Sequence, residues 1–106
     1  MSTSADFIEY ICGQIADTGV VTYRKMFGEY MVYVNAKPLL LVCDNTAYVK
    51  MLDCVADELS DAEVGEPYSG ARPHYLLNVD NAELCGRVIR LLDAATPVPK
   101  PKKLNK

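Results

Sequence analysis

The spacing of hydrophobic residues changes once along the chain, near residue 20. Before that point, apolar residues recur at intervals of three and four, which predicts an amphipathic helix over residues 3–18. Its apolar stripe consists of Ile8, Ile11, Cys12 and Ile15. Thr3 and Asp6 have the spacing of a capping box at the start of this helix, and Gly19 suits its C-terminal end.

Four short β-prone runs follow this helix, separated by residues that favour turns. They cover residues 20–23, 30–34, 39–43 and 47–51. Links this short make successive strands antiparallel, and Asp44 and Asn45 tolerate the positive φ of a tight hairpin. Because residues 39–43 are all apolar, that strand is either covered on both faces or central with a helix on one face.

The second half of the chain returns to helical spacing on either side of one further strand. Residues 52–60 predict a helix with acidic residues off its apolar stripe, and residues 64–73 predict a loop rich in Gly and Pro. Residues 74–79 predict a fifth strand. Asp80, with Glu83 three residues later, has the spacing of a cap for a last helix.

The predicted order of elements is α-β-β-β-β-α-β-α, which is typical of the α+β class. We expect one antiparallel sheet of about five strands, with the helices packed largely on one face. Residues 1–96 are predicted to form one domain, followed at 97–106 by an extended tail rich in Pro and Lys.

Charge is distributed unevenly between this domain and its tail. The formal net charge of the 106 residues is −3, and removing the tail lysines from it leaves −7 for the rest. Those lysines are Lys100, Lys102, Lys103 and Lys106. An acidic body disfavours non-specific binding to nucleic acid, because affinity for phosphates comes from basic residues. The tail lysines are more often a solubilising end than a binding site.

The composition also bears on compartment and cofactors. The N-terminus lacks a basic segment followed by a long apolar run, and the apolar stretch at 39–43 is too short to cross a bilayer. We therefore expect a cytoplasmic protein without membrane contact. The four cysteines are widely spaced with no Cys-x-x-Cys, which favours structural thiols over zinc ligands or disulfides. No cofactor or metal is predicted.

One segment, residues 23–30, combines charge, aromatic residues and a glycine immediately before a strand. Arg24 and Lys25 offer a basic contact for an acidic partner, although strand alternation points neighbouring side chains to opposite faces. The alternative, which is the more common one, is that one or both pair with acidic residues such as Glu29 on the same sheet. Met26, Phe27 and Gly28 are better explained as fold determinants that turn the first strand into the second.

This segment resembles the N-terminal domain of the TfoX/Sxy proteins. The resemblance continues at 43–45, 48–50, 66–68 and 71–75, and in the tail, so that it spans nearly the whole chain. It implies a two-layer α+β domain similar to secretion-chaperone-like folds, and it implies no enzymatic activity. Full-length members also carry a C-terminal helical domain that these 106 residues do not contain. A role in activating competence genes therefore does not follow from the resemblance.

The candidate interaction surface predicted from the sequence consists of Arg24, Lys25, Glu29, Tyr68, Arg72 and His74. The leading hypothesis is a non-enzymatic regulatory or protein-interaction module with an unidentified protein partner. A second hypothesis is a nucleic-acid-linked regulator that uses Arg24, Lys25, Arg72 and the basic tail. A third is a small-molecule binder or enzyme with a pocket of tyrosines, Arg72 and His74. Pairing of sheet edges into a homodimer remains open.

Overall fold

A computed structural model describes residues 4–26 and 29–97 and shows an α+β fold with one antiparallel sheet. The strands are β1 (Val21–Met26), β2 (Glu29–Val34), β3 (Lys37–Cys43), β4 (Thr46–Lys50), β5 (Val64–Gly65) and β6 (His74–Leu77). The helices are α1 (Ala5–Gln14) and α2 (Ala82–Ala95), with short 3-10 helices at Ala16–Thr18 and Asp53–Val55. The predicted fold class and order of elements are confirmed, and a two-residue sixth strand is added. No helix in the described ranges is long and apolar enough to cross a membrane.

The strands lie in the spatial order β1-β2-β3-β4-β6-β5, and every neighbouring pair is antiparallel. Two tight turns close the central hairpins. Asn35 and Ala36 have φ values of 53° and 69°, and Asp44 and Asn45 have values of 52° and 57°. The predicted Asp44-Asn45 hairpin is confirmed, because Cys43 pairs directly with Thr46.

The first helix is shorter than predicted and begins at a different cap. The Ser4 hydroxyl accepts a hydrogen bond from the Phe7 N–H at 3.2 Å, whereas Thr3 lies outside the described residues. The α-helix ends at Gln14, and the chain continues as a 3-10 turn to Thr18 before it reaches Gly19. The predicted apolar stripe faces the core, with its three isoleucines buried and Cys12 half-buried.

The last helix is capped by Asn81, so the predicted cap at Asp80 is wrong by one residue. The Asn81 side chain accepts a hydrogen bond from the Leu84 N–H at 3.0 Å. The Asp80 carboxylate instead accepts a bond of 2.7 Å from the Tyr10 hydroxyl on α1. Asn and Asp are equally good N-caps. The contact of Asp80 with Tyr10 on α1 therefore decides that Asn81 is the residue that caps this helix.

Residues 52–60 do not complete an α-helix. They form the 3-10 helix at Asp53–Val55 and then a series of turns. Val55 and Leu59 from the predicted stripe are nevertheless buried in the core. A segment of nine residues is too short for helix propagation alone to stabilise an α-helix. Burial of these two side chains holds the segment against the core without one.

The helices and this segment cover one face of the sheet and bury a continuous core there. Val32, Leu40, Val42 and Val49 are at most 1% exposed and belong to the same cluster as Ile89. Burial alternates along β2, because every second side chain points at the helices. In the central strand β3, Leu39 and Cys43 are also buried, and Leu39 lies at a register shift in the pairing of β3 with β2.

Asn35 joins the second hairpin to both ends of the helical layer. Its amide donates to the Asp93 Oδ2 at 3.3 Å, and its Oδ1 accepts from the Val20 N–H at 3.0 Å. Lys37 Nζ lies 3.0 Å from Asp93 Oδ1 and donates to the Asp93 carbonyl at 2.7 Å. Gly19 has a φ of 155°, and a Cβ there would approach the Asn35 amide to 2.6 Å. A glycine is therefore required for this contact.

The strained turn at Ala36 generates a stability prediction. A left-handed conformation costs an L-residue about 1–2 kcal/mol, which Ala36→Gly would remove. The greater freedom of glycine in the unfolded chain offsets about 0.4–1 kcal/mol of this gain. We expect the free energy of unfolding, measured by urea titration, to rise by about 0.5–1 kcal/mol.

Ala94→Gly is the matched control, because it makes the same chemical change at an exposed position of α2. There glycine is expected to lower the free energy of unfolding by up to about 1 kcal/mol. Equal destabilisation by both substitutions would show that position 36 does not adopt the left-handed turn.

Candidate functional site

Strand alternation separates the sheet into a helix-covered face and a second face, which we call the outer face. Register assigns residues to it directly: Arg24 pairs with Met31, Leu41 with Tyr48, and Lys50 with His74. Met31, Leu41, Tyr48 and Lys50 each adjoin a core residue in their strand and therefore point away from the helices. Arg24 and His74 share their face, because they pair with Met31 and Lys50. The outer face includes Arg24, Glu29, Met31, Tyr33, Leu41, Tyr48, Lys50, His74 and Leu76.

Basic residues on the two sides of the sheet differ in their ion pairs. On the helical side, Lys37 pairs with Asp93 at 3.0 Å, Arg87 with Glu58 at 2.8 Å, and Arg90 with Asp17 at 3.7 Å. Within residues 4–26 and 29–97, no ion pair engages the other basic residues, which are Arg24, Lys25, Lys50 and Arg72. Most carboxylates of the described chain lie on α1, α2 and the turns beside them. Among the strand residues of the outer face, Arg24 and Lys50 are basic and Glu29 is acidic, so this side of an acidic protein carries an excess of basic groups.

A cavity of about 430 Å³ opens on the outer face, beneath the loop of residues 66–73. The loop contributes Tyr68 and Arg72, and the sheet contributes Tyr48, Lys50 and His74. Its apolar floor consists of Met31, Pro38, Leu39 and Leu41, and the strand at Leu40 also borders it. Three of the residues predicted from the sequence thus meet at one site: Tyr68, Arg72 and His74.

The His74 ring is held in one orientation by two contacts. Its Nδ1–H donates a hydrogen bond to the Arg72 carbonyl at 2.7 Å, so Nε2 is the ring nitrogen that takes no part in this bond. The ring also stacks edge-on against Tyr48, with centroids 6.4 Å apart and planes at 89°. These contacts also fasten the end of the loop to the sheet.

Arg24 and Lys25 lie on opposite faces of β1. Arg24 opposes Met31 on the outer face, whereas Lys25 opposes the buried Tyr30 on the helical side. They therefore do not form one contact surface, which is what alternation indicated. Met26 pairs with Glu29 at the end of the strand. Phe27 and Gly28 lie outside the described residues, so their predicted role in the turn stays a prediction.

Glu29 contacts a cysteine rather than a basic residue. The Glu29 carboxylate lies beside the Cys43 thiol, and Cys43 is 3% exposed. Burial, reinforced by Glu29, raises the pKa of Cys43 from 9.0 to about 12. Burial likewise raises the pKa of Cys85 to about 11, with Asp80 adding to the shift. The four cysteines are free thiols in the structure.

A second cavity, on the helical side, has the opposite electrostatic character. It measures about 570 Å³ and combines apolar residues such as Phe7 and Leu59 with carboxylates. Two of these carboxylates are engaged, Glu58 by Arg87 and Asp80 by Tyr10. Across residues 4–26 and 29–97, no cluster of three or more His, Cys, Asp or Glu side chains could hold a metal ion.

Sequence reasoning missed Lys50 as a member of the outer-face site. The pairing of β4 with β6 places it directly opposite His74. Alternation from the apolar Val49 would have identified its face, but only once the neighbour of β4 was known. Of the tyrosines available for the predicted pocket, Tyr48 and Tyr68 line the cavity, whereas Tyr30 is buried in the core.

The Cys43 environment predicts slow alkylation in the folded protein. At mildly alkaline pH, iodoacetamide is expected to modify the half-buried Cys54 well before Cys43, because a buried protonated thiol is a poor nucleophile. Peptide mass spectrometry over a time course measures both rates, and urea should make them similar. Equal rates in the folded protein would contradict the Cys43–Glu29 contact.

Comparison with known proteins gives one relative and no matching family model. The relative is the uncharacterized 12.7 kDa protein in the trpE 5′ region of Spirochaeta aurantia. It is 32% identical over 105 residues, covering 97% of this chain and 91% of the relative. Because the match spans almost the whole of both proteins, the chain belongs to the same family as this spirochaete protein.

Proposed function

We propose that this protein is a non-enzymatic protein-interaction module whose outer face docks an acidic segment of a partner protein. The observation that carries the proposal is the contrast between its basic residues. Three of the four described basic residues on the helical side are ion-paired, with Lys25 as the exception. Arg24 and Lys50 on the outer face and Arg72 in the loop beside it have no such pair in the described chain. Unpaired cations on one face attract and orient a partner of opposite charge.

The remaining chemistry of the outer face suits a protein partner. Half-buried tyrosines and aliphatic residues surround the basic groups, among them Tyr33, Tyr48 and Leu76. Tyrosine gives both apolar contact and hydrogen bonding, and it is enriched with arginine at protein interfaces. An acidic partner segment with aromatic or aliphatic residues would complement both features.

The resemblance to the TfoX/Sxy N-terminal domain supports a regulatory setting for this interaction. The residues that carry the resemblance include Arg24, Tyr48, Lys50, Arg72 and His74, all of them on the outer face or in its cavity. We propose that the module regulates its partner by binding rather than by chemistry. A cytoplasmic location is part of the proposal, because a reducing compartment maintains free thiols such as the four cysteines.

A nucleic-acid partner is a weaker alternative. Three or four phosphate contacts on a protein of net charge −3 give binding that fades steeply with salt. The carboxylates of the helical layer also repel a polyanion that extends beyond the outer face. The experiment below identifies such a partner if it is the real one.

Two exposed tyrosines on opposite sides of the molecule allow a photo-crosslinking test. Tyr68 is 54% exposed beside the outer-face cavity, and Tyr10 is 44% exposed on α1. With benzoylphenylalanine in place of each tyrosine in living cells, we expect a protein adduct from position 68 and none from position 10. Protease and nuclease digestion then distinguish a protein adduct from a nucleic-acid adduct.

Arg24→Glu and Lys25→Glu are matched variants for the same experiment. Both reverse one charge on adjacent residues of β1, but only Arg24 points to the outer face. We expect Arg24→Glu to abolish the adduct from position 68 and Lys25→Glu to leave it intact. Both exposed substitutions should change the free energy of unfolding by no more than about 0.5 kcal/mol.

The alternative partners give different patterns. Loss of the adduct in both variants would move the interface to the free edge of β1, where a second copy of the chain is able to pair. An adduct sensitive to nuclease, or one formed from position 10 alone, would overturn the proposed docking of an acidic protein segment on the outer face.

A further inference from the structure

The outer-face cavity is a bounded space rather than an open surface. The sheet forms its floor and the loop of residues 66–73 forms one wall, with Ala71 only 9% exposed. Its volume of about 430 Å³ falls within the range of about 300–1,000 Å³ that is usual for small-molecule sites.

The lining divides into an apolar floor and a basic rim. Leu39 and Leu41 belong to the floor, and Lys50, Arg72 and His74 contribute nitrogen groups. None of the described residues that line this cavity carries a carboxylate. The helical-side cavity has the reverse lining, with carboxylates and no basic residue among its described members. The chemistry of the outer-face cavity is therefore selective for negative charge.

The basic groups do not form ion pairs with the rest of the described protein. Arg72 and Lys50 are exposed and lack a carboxylate partner, so a bound anion displaces no internal contact. The bond from His74 to the Arg72 carbonyl and the stacking on Tyr48 fix one side of the rim before any ligand arrives. Such preorganisation reduces the ordering that binding would otherwise require.

We propose that this cavity binds a small organic anion, a carboxylate on an aromatic or aliphatic body. The body lies on the leucine floor, and Arg72 binds the carboxylate together with Lys50 at the same rim. This goes beyond docking of a protein partner and does not depend on it. Competition is the one part that rests on the proposed docking: because Arg72 belongs to both surfaces, the bound anion competes with the acidic partner for this residue.

A matched series of ligands tests the charge requirement on the isolated full chain. The probes are 1-naphthylacetate, 1-naphthylacetamide and 2-(1-naphthyl)ethylamine, which share one aromatic body and differ in charge. We expect the carboxylate to bind with a dissociation constant of about 1 mM or tighter, the scale usual for a ligand of this size. The amide and the amine should bind at least about tenfold more weakly. Titrations followed by 1H–15N NMR report both affinity and location.

Two arginine variants provide the matched control. Arg72→Gln should weaken binding of 1-naphthylacetate about tenfold or more, because it removes a charged donor at the rim. Arg90→Gln makes the same change on α2, outside this cavity, and should leave the affinity unchanged. The shifted amides should belong to β3, β4, β6 and the loop of residues 66–73.

Several results would overturn the proposal. Equal affinity for the acid and the amide would reduce the cavity to an apolar cleft without preference for anions. Shifts confined to the helical side would place the ligand elsewhere, and no shift at about 10 mM, roughly ten times the expected constant, would exclude the site. Because no partner protein is present, these outcomes leave the photo-crosslinking result independent.

Discussion

The whole arrangement depends on the period-two alternation of the strands, which the buried core holds in one register. Val32, Leu40 and Val49 are almost fully buried against the helices, and a shift of one residue would turn them all toward solvent. The same register that buries them fixes Arg24, Lys50 and His74 on the other face. Core burial therefore determines the composition of the candidate site, although it contributes none of the site's polar groups.

Charge follows from the same division into two layers. The helical layer carries most of the carboxylates and neutralises its basic residues locally, as Arg87 does with Glu58. The outer face retains basic residues without such partners, so an acidic protein presents one basic side. The net charge does not report this uneven distribution. Long-range attraction of a partner depends on the local electrostatic potential as well as on the net charge. The proposed docking and the proposed anion site both rest on that difference.

Local signals in the sequence were sufficient for most of the fold. Apolar runs identified the central strands, and Asp44-Asn45 identified a hairpin whose φ values are both positive. Failures arose where two local solutions are nearly equal in energy: segment 52–60 forms a 3-10 helix and turns, and Asn81 rather than Asp80 caps the last helix. The sequence predicted only part of the candidate site. Arg72 and His74 are near neighbours in the chain, whereas Lys50 joins them only through the pairing of β4 with β6.

The most direct test of this account measures electrostatic potential on each side of the sheet. Anionic and cationic nitroxides of similar size, added separately at low ionic strength, relax nearby protons according to local charge. Methyl protons of Met31, Leu41 and Leu76 on the outer face should relax faster with the anionic probe than with the cationic probe. Methyl protons next to Asp61 and Glu83 on the helical side should show the opposite preference. The same preference on both sides would contradict the basic outer face and remove the basis of the proposed function.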